Sequence, residues 1–529
     1  MVSLLKSGVE RLTSRIRRKS QVNEVSRTRH ITVIDEIGMT KSMPATKTQF
    51  EWRVNRTLDE APVVFLGLGP EPNKLPEWFD LPNEEIYYYL ESQDFIDQVD
   101  GWEQLVPTNF ERITPEEFTI ESSSNAHVTR YLPVQKAFPS FFAPLTARLS
   151  LHSGTRPRLN KTVWLPTGDD DLLVKELAHA FRARGYSVTL IDHEALGKYP
   201  GSTLPDLLQQ GVPDLFFSVN FKGLDHFGLG HAILREAGVQ VAVWLVDNPF
   251  NILTTVKSAY WKDIRLFVTD HSFIGPLIEI EARWVTHLPL ATSRDIFEAS
   301  GTLPDHATGL EGHLIFVGRS RFPKMDQFFA GETIDSTDVD EVLSDSGSTR
   351  FDYHWWRERL GITPLWPGNQ GRAVGAGTEF ASHNWKRRCL ESAGKVIIFG
   401  DDGWKGIKNA DVRPFVDYYA HLPAIYRTAA VTLNVTGMQL PAGLTQRHFD
   451  VWCAGGFLIT DAHPGLKIFP DELVAPVSFT RPDEIHDLVI RFREDTKAKQ
   501  ELRRAWQECI QQNHTYLNRV DTVLTALSL

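Results

Sequence analysis

Short apolar runs alternate with amphipathic stretches through the middle of the chain. Each run is six to eight residues long, which is the length of a buried strand. The runs are residues 161–166, 186–191, 214–220 and 239–246. Between the first two, residues 171–185 place their apolar side chains on one side of a helix. Because strands that alternate with helices build parallel sheets, we predict an α/β domain over residues 160–300.

The same alternation returns in the second half of the chain. Strands are predicted at residues 314–317 and 396–399, so a second α/β domain is expected over residues 310–510. Residues 331–347 are acidic and rich in Ser and Thr, which is typical of an exposed insertion or a mobile loop. Residues 368–377 are rich in glycine and lack a P-loop ending, which favours a flexible connection.

Glycine and charged residues follow these two strands directly. Gly318 is followed by Arg319 and Lys324, and Gly400 is followed by Asp401. Glycine lets a ligand approach the backbone, Arg offers a planar fork of donors, and Lys offers a point charge. The pattern fits a diphosphate site after the first strand and fits a surface charge cluster equally well.

The segment 433–461 has the pattern of a strand, a loop, a helix, a glycine break and a second strand. The first strand ends in Asn434, the helix carries Arg447, and Gly455 and Gly456 form the break. Such a segment brings backbone amides and a helix N-terminus to one place, which suits an anion. We predict that this segment binds a diphosphate.

A strand followed by a glycine turn also occurs near the amino terminus. Gly67, Gly69 and Glu91 match part of a dinucleotide-binding fingerprint. Pro70 occupies the stretch that should open a helix, and the third glycine is absent. We therefore predict an accessory α/β domain over residues 51–150 that binds no cofactor.

Residues 1–50 are predicted to be a basic, partly disordered arm. Residues 2–16 place apolar side chains at helical spacing among lysines and arginines, so a basic amphipathic helix on an anionic membrane surface is the alternative. No apolar run approaches the ~18–20 residues of a membrane span, and the signal-peptide pattern is absent. We expect a cytoplasmic protein, with contact at the inner membrane face left open.

Composition narrows the function classes. The chain has 529 residues, enough for two to four domains at ~100–200 residues each. A net charge of −11 argues against broad nucleic-acid binding, which needs a basic surface. The cysteines show no CxxC pattern, so neither a disulfide framework nor a zinc site is indicated. They are Cys389, Cys453 and Cys509.

The chain resembles CgeB-like glycosyltransferases, a family named for a spore maturation protein. The resemblance is carried by Gln446-Arg447-x-Phe449-Asp450, by Ala454-Gly455-Gly456-Phe457-x-x-Thr460-Asp461, and by the series WLVDNPF (244–250), VTDHS (268–272) and HLPLA (287–291). It implies a GT-B fold, in which two Rossmann-like domains face each other. It also implies that the final helix, residues 511–529, braces the first of these domains.

The resemblance also implies roles for single residues. Asp450 would accept hydrogen bonds from the ribose of a nucleotide sugar, and Arg319 and Lys324 would hold its phosphates. Ala442 stands where related retaining enzymes often have a second carboxylate. The resemblance therefore supports donor binding better than any stereochemical outcome.

The resemblance, together with these patterns, implies a glycosyltransferase that would move a sugar from a nucleoside-diphosphate sugar to a protein or glycan acceptor, with no metal and no cofactor, in bacterial protein or surface glycosylation. The predicted donor-binding residues are Gly318, Arg319, Lys324, Gly400, Asp401, Asn434, Arg447, Asp450, Gly455 and Gly456.

An inverting reaction needs a base, for which Asp247 and His271 are candidates because they follow predicted strands. A retaining reaction needs none. The alternatives are a nucleotide-sugar epimerase or hydrolase, and a non-catalytic assembly protein with the same fold.

Overall fold

A computed structural model of the protein describes residues 30–53, 61–151, 154, 156–169, 171–297, 301–344 and 350–529. The amphipathic pattern at residues 2–16 lies outside these ranges. Within them, the chain forms a small hairpin and three larger sheets, one in each of three consecutive α/β domains. None of the helices in these ranges combines the length and the apolar character that a bilayer span requires.

The accessory domain is built on a five-stranded sheet. Its strands are β3 (Phe50–Arg53), β4 (Val63–Leu66), β5 (Tyr87–Leu90), β6 (Phe110–Arg112) and β7 (His127–Tyr131), and its helices are α1 (Leu75–Phe79), α2 (Gln93–Ile96), α3 (Trp102–Leu105), α4 (Ile120–Ser124), α5 (Leu132–Ala137) and α6 (Pro139–Ser150). The order is β3-β7-β4-β5-β6, with only β3 antiparallel to its neighbour among these described strands. The strand order therefore reverses between β4 and β7, which makes their carboxyl ends the switch point of this sheet.

A hairpin that precedes this sheet corrects the predicted boundary of the arm. Strand β1 (His30–Ile34) pairs antiparallel with β2 (Thr40–Pro44). Val33 and Met43 are buried in the core of the accessory domain, so residues 30–50 belong to that domain and not to an arm. Because each strand buries so few side chains, its apolar pattern is too short to be distinctive.

Side chains of the accessory domain fill its own switch point. Gly67 and Gly69 follow β4 with φ of +87° and +71°, and a Cβ on Gly67 would lie 2.6 Å from the side chain of Val134. The buried ring of Tyr131 packs against Gly69. The buried Glu91 carboxylate accepts a hydrogen bond of 2.9 Å from a backbone amide of the turn. Gly67, Gly69 and Glu91, which form the partial fingerprint, therefore hold this turn against side chains of the accessory domain itself.

The second domain holds six parallel strands. They are β8 (Thr162–Thr167), β9 (Ser187–Asp192), β10 (Leu215–Val219), β11 (Gln240–Leu245), β12 (Arg265–Val268) and β13 (Trp284–His287), with helices α7 (Val174–Ala183), α8 (His193–Lys198), α9 (Pro200–Gln210), α10 (Leu229–Glu236), α11 (Pro249–Leu253), α12 (Ile274–Glu279) and α13 (Arg294–Phe297). Their order is β13-β12-β11-β10-β8-β9. The fully buried run of β10 is the pattern expected of a parallel sheet covered on both faces.

The third domain holds six more parallel strands. They are β14 (Leu314–Val317), β15 (Val396–Phe399), β16 (Ala410–Arg413), β17 (Val431–Asn434), β18 (Leu458–Asp461) and β19 (Ser478–Phe479), with helices α14 (Met325–Phe328), α15 (Ser336–Ser344), α16 (Tyr353–Arg359), α17 (Gln370–Ser392), α18 (Leu422–Thr428), α19 (Arg447–Cys453), α20 (Asp471–Val474), α21 (Glu484–Arg493), α22 (Lys497–Asn513) and α23 (Tyr516–Leu527). Their order, β16-β15-β14-β17-β18-β19, is that of a Rossmann sheet. The switch point lies between β14 and β17.

The carboxyl ends of the two six-stranded sheets face each other across residues 435–446, which we call the junction segment. Asn248, after β11, donates a hydrogen bond to the carbonyl of Gln439 at 2.9 Å. Asp270, after β12, accepts one from the amide of Ala442 at 2.8 Å. Two facing Rossmann-like domains are the GT-B arrangement, so the predicted fold class is confirmed.

The final helix of the chain returns to the second domain. The guanidinium of Arg184, at the end of α7, pairs with Asp521 on α23. Thr515, directly before α23, forms a parallel bridge with Thr292. The last helix therefore ties the third domain back to the second.

Two predicted loops of the third domain are partly helical. Helix α15 lies within the acidic stretch 331–347, whose residues 345–347 are outside the described ranges. The glycine-rich stretch 368–377 lies almost entirely within α17, which is 23 residues long. A Cβ on Gly375 would lie 2.5 Å from Asn251 Oδ1, and one on Gly377 would lie 2.4 Å from the Trp356 ring. These glycines serve close helix packing, and the prediction of a flexible connection is wrong.

Candidate functional site

The switch point of the third domain brings together three of the predicted donor-binding residues. Arg447, at the start of α19, donates from Nε to Asn434 Oδ1 at 2.8 Å and from one Nη to the carbonyl of Val317 at 2.8 Å. Gly318 follows β14 directly, and a Cβ placed on it would lie 3.7 Å from the same Nη. The guanidinium thus lies across the carboxyl ends of β14 and β17, where ligands bind in open α/β sheets.

Asn434 is buried and fixes the guanidinium without facing solvent. Its Oδ1 also accepts a hydrogen bond from Thr445 Oγ1 at 2.9 Å, and its Nδ2 donates to Thr460 Oγ1 at 3.0 Å. His448 Nε2 lies 3.0 Å from the same threonine oxygen, and burial lowers the pKa of His448 to about 3. A neutral polar network therefore orients Arg447, and Asn434 is a positioning residue.

Gly400 and Asp401 support the turn after β14. A Cβ on Gly400 would lie 2.6 Å from the carbonyl oxygen of Gly318, so only glycine lets the two turns pack this closely. Asp401 accepts hydrogen bonds from the amide of Ser320 at 3.0 Å and from the amide of Gly403 at 3.0 Å. Gly400 and Asp401 therefore support the turn that follows β14. The indole of Trp404 donates to the Gly318 carbonyl at 2.9 Å, consistent with a core role.

Arg319 lies on the other side of β14 from the guanidinium of Arg447. The Arg319 guanidinium carbon lies 4.6 Å from the centre of the Phe415 ring, beyond the end of β16 and away from β17. Lys324 is exposed and precedes α14 with φ of +61°. The structure therefore does not bring Arg319 beside Arg447, and the implied role of Lys324 stays a prediction.

Asp450 is buried at the contact between the second and third domains. Its carboxyl group accepts hydrogen bonds from Thr292 Oγ1 at 2.7 Å, from the Tyr418 hydroxyl, and from Gln446 Nε2 at 3.2 Å. Burial raises the pKa of Asp450 to about 8, and the hydrogen bonds oppose this shift. These protein partners give the carboxyl group a structural role, and its implied ribose contact stays a prediction.

Gly455 and Gly456 are at the wrong end of their helix to bind the donor. They lie between the C-terminus of α19 and the amino end of β18, whereas the switch point is at the carboxyl ends of the strands. Gly455 has φ of +81°, the conformation that ends many helices. A Cβ on Gly456 would lie 2.6 Å from the carbonyl oxygen of Tyr426. The pair ends a helix and packs it closely.

Lys386, on α17, is a residue that the sequence pattern did not reveal. Its side chain is half-buried near Arg447 and the junction segment. Desolvation lowers the pKa of Lys386, and the charge of Arg447 adds to this shift. A single lysine in a polar helix carries no distinctive pattern, so only the three-dimensional structure could find it.

Both candidate bases lie at the carboxyl edge of the second domain. Asp247 is exposed, and its Oδ2 accepts a hydrogen bond from Asn220 Nδ2 at 2.7 Å. Desolvation by the surrounding protein raises the pKa of Asp247. His271 is also exposed, and its ring centre lies 5.3 Å from that of His287. The two residues follow adjacent strands, β11 and β12.

One cavity adjoins this edge, and a larger one lies beside the amino ends of β12 and β13. One of about 300 Å³ is lined by the residues after β10, including Asn220 and Lys222. Another, of about 880 Å³, lies between the accessory domain and the second domain. Tyr260 lines both cavities. In the described part of the chain, His, Cys, Asp and Glu side chains form no group of three or more that could hold a metal ion.

Residues 378–525 match a family model described as glycosyl transferase-like. The match lies in the third domain and includes Lys386, Asn434 and Arg447. Together with the GT-B fold, it supports a glycosyltransferase. No curated protein sequence matches the chain significantly.

Several solved structures are similar to this chain at low sequence identity and low TM-score. A trehalose-phosphate synthase (UDP-forming) from Burkholderia vietnamiensis has 13% identity and a TM-score of 0.41, with 71% of this chain and 100% of that chain covered. An Anabaena protein solved with UDP and glucose has 10% identity and a TM-score of 0.40, with 69% and 99% covered. A glycosyltransferase from Rickettsia africae has 9% identity and a TM-score of 0.39, with 70% and 98% covered. The fold assignment therefore rests on the sheet topology of the chain itself.

Proposed function

We propose that this chain is a CgeB-like glycosyltransferase that moves a sugar from a nucleoside-diphosphate sugar to a protein or glycan acceptor without a metal ion. The observation that carries the proposal is the guanidinium of Arg447 at the switch point. Its Nε and one Nη are fixed by Asn434 and Val317. The other Nη donates to no residue in the described part of the chain.

A fixed guanidinium suits the chemistry of this transfer. When the bond between the sugar and the diphosphate breaks, negative charge builds on the leaving oxygen. An oriented cation stabilises this charge more in the transition state than in the bound donor, which lowers the barrier. Arg447 is held by its neighbours before any donor binds, so little reorganisation is needed.

Asp247 is the proposed base if the reaction inverts the anomeric centre. The next residue, Asn248, binds the junction segment, so Asp247 lies beside the contact between the two Rossmann-like domains. Its Oδ1 forms no hydrogen bond with a described residue, and its pKa is raised by desolvation. A base with a raised pKa accepts the proton of an acceptor hydroxyl more readily. The adjoining cavity of about 300 Å³, which Asn220 lines, offers room for part of an acceptor.

The first test of the proposal uses a panel of nucleotide sugars. Purified protein is mixed with UDP-, GDP-, ADP-, CMP- and dTDP-sugars, and the shift in melting temperature is measured for each. The sugar that binds is then incubated without acceptor. Rapid epimer formation would favour the epimerase alternative. A failure of every nucleotide sugar to bind would contradict the proposal and favour a non-catalytic protein.

A second test changes the proposed base. Asp247→Asn should lower turnover by about 10²- to 10⁴-fold, the usual contribution of a general base, and should leave donor affinity unchanged. Asp206→Asn is the matched control, because Asp206 is an exposed carboxylate on α9. Turnover is measured as release of the nucleoside diphosphate. Equal turnover of the Asp247 variant and wild type would remove Asp247 from the chemistry.

A further inference from the structure

Lys386 is a half-buried cation beside the switch point. Its Nζ lies 4.0 Å from the position that a Cβ on Gly437 would take. It forms no hydrogen bond or ion pair with any residue in the described ranges. Desolvation lowers the pKa of Lys386, and the charges of Glu379 and Asp461 oppose this shift without pairing with its Nζ; Asp461 pairs with Arg350.

Lys386 and Arg447 are two cations beside the same switch point. Arg447 is hydrogen-bonded to Asn434, and Lys386 Nζ lies beside Gly437, three residues further along the chain. The charge of Arg447 also lowers the pKa of Lys386. Both are partly withdrawn from water, which adds to the cost of their charges. Like charges in such surroundings are costly unless an anion binds between them. The pair therefore fits a doubly charged ligand better than an empty site.

The junction segment supplies a third donor. Gly437 is only half-buried, and its amide donates to no residue in the part of the chain described here. A Cβ on Gly437 would lie 3.6 Å from Ser382 Oγ on α17, so the backbone runs close to the helix that carries Lys386. The amide and the ammonium group thus lie at one edge of the same site.

We infer that Lys386, Arg447 and the amide of Gly437 hold the diphosphate of the donor, and that Lys386 is a catalytic residue. The inference rests on the proposed function. In the reaction, the bond between the anomeric carbon and the diphosphate oxygen breaks, and its electron pair stays on that oxygen. The acceptor oxygen bonds to the anomeric carbon and gives its proton to a base. Lys386 neutralises the charge that develops on the leaving diphosphate.

The test compares phosphate-bearing ligands with their nucleosides. Affinities for UDP, GDP, ADP, CDP, dTDP and inorganic pyrophosphate are measured by calorimetry, with the parent nucleosides as a second series. Lys386→Met should weaken binding of the preferred nucleoside diphosphate and of pyrophosphate by about 10- to 100-fold, as expected for a lost charge-assisted contact. Nucleoside binding should not change. Lys395→Met is the matched control, because Lys395 is an exposed lysine just after α17.

The outcomes separate this inference from the proposed function. If wild type and Lys386→Met bind the diphosphate equally, the inference is overturned and the proposed function stands. If wild type binds neither nucleoside diphosphates nor pyrophosphate, both are overturned. Lys386→Arg keeps the charge and should retain most of the affinity. If the Met variant fails to fold, Lys386→Gln gives the same comparison with a polar side chain of similar length.

Discussion

The accessory domain and the third domain both end a central strand in a glycine turn at a switch point, but the two turns face different surroundings. After β4, the turn carrying Gly67 and Gly69 is covered by Tyr131 and closed by Glu91. After β14, the turn at Gly318 faces the guanidinium of Arg447. The turn of the accessory domain is covered by side chains of its own domain. The turn after β14 lies beside the guanidinium of Arg447, which keeps N–H donors without an acceptor in the described part of the chain.

The difference shows how little a glycine turn reveals by itself. Glycine lets either a ligand or another part of the chain approach the backbone. Which of the two occurs depends on the side chains that the neighbouring strand and helix place over the turn. At β7 these are a large aromatic ring and an aliphatic side chain, and at β17 they are an amide and a guanidinium.

The largest expected effect comes from removing the aromatic ring that fills the switch point of the accessory domain. Tyr131 is fully buried, so Tyr131→Ala should destabilise the protein by about 3–5 kcal/mol, the usual cost of removing a buried aromatic ring. Urea denaturation measures the change. Binding of nucleoside diphosphates should remain at the wild-type level in the folded variant. A loss of that binding would show that the accessory turn takes part in donor recognition.

A smaller effect is expected at the contact between the two Rossmann-like domains. Asp450→Ala would leave the buried hydroxyls of Thr292 and Tyr418 without their acceptor, at a cost of about 1–3 kcal/mol in unfolding free energy. Discrimination between ribose and deoxyribose nucleotides should not change. Asp402→Ala is the control, because its exposed carboxylate pairs only with Lys405 at the surface. A selective loss of ribose discrimination in the Asp450 variant would restore its role in donor binding.

The smallest expected effect, counted per pH unit, is a pH dependence shared by both regions. Burial raises the pKa of Glu91 to about 8, as it does for Asp450. Each folded carboxyl keeps its proton up to that pH, whereas an unfolded one releases it near pH ~4. Raising the pH through this window therefore lowers the unfolding free energy, by at most about 1.4 kcal/mol per pH unit for one group.

Glu91→Gln removes one of these titrations. The variant should show a flatter decrease in stability between pH ~5 and ~8, measured by denaturant unfolding at a series of pH values. Wild type is the reference at each pH. Parallel slopes for the two proteins would mean that Glu91 does not titrate in this window.

Much of the fold could be predicted because buried parallel strands leave a clear pattern. The apolar runs that became β8, β10, β11, β14 and β15 are long or uniform enough to stand out. The hairpin of β1 and β2 could not be predicted in this way, since its few buried side chains form no pattern. Helix α17 was missed for the opposite reason. Its glycines resemble a flexible connection, yet they pack against Asn251 and Trp356.

The sequence by itself determined the alternation of strands and helices, the presence of two α/β domains, and the placement of Gly318, Asn434 and Arg447 next to strand ends. These follow from local periodicity, which each segment carries alone. Only the tertiary structure decided which charges meet. Asp450 became a buried contact between domains, Arg319 turned to Phe415, and Lys386 reached the switch point from α17. The physical reason is that a side chain's role depends on its desolvation and its partners, and these come from segments far apart in the chain.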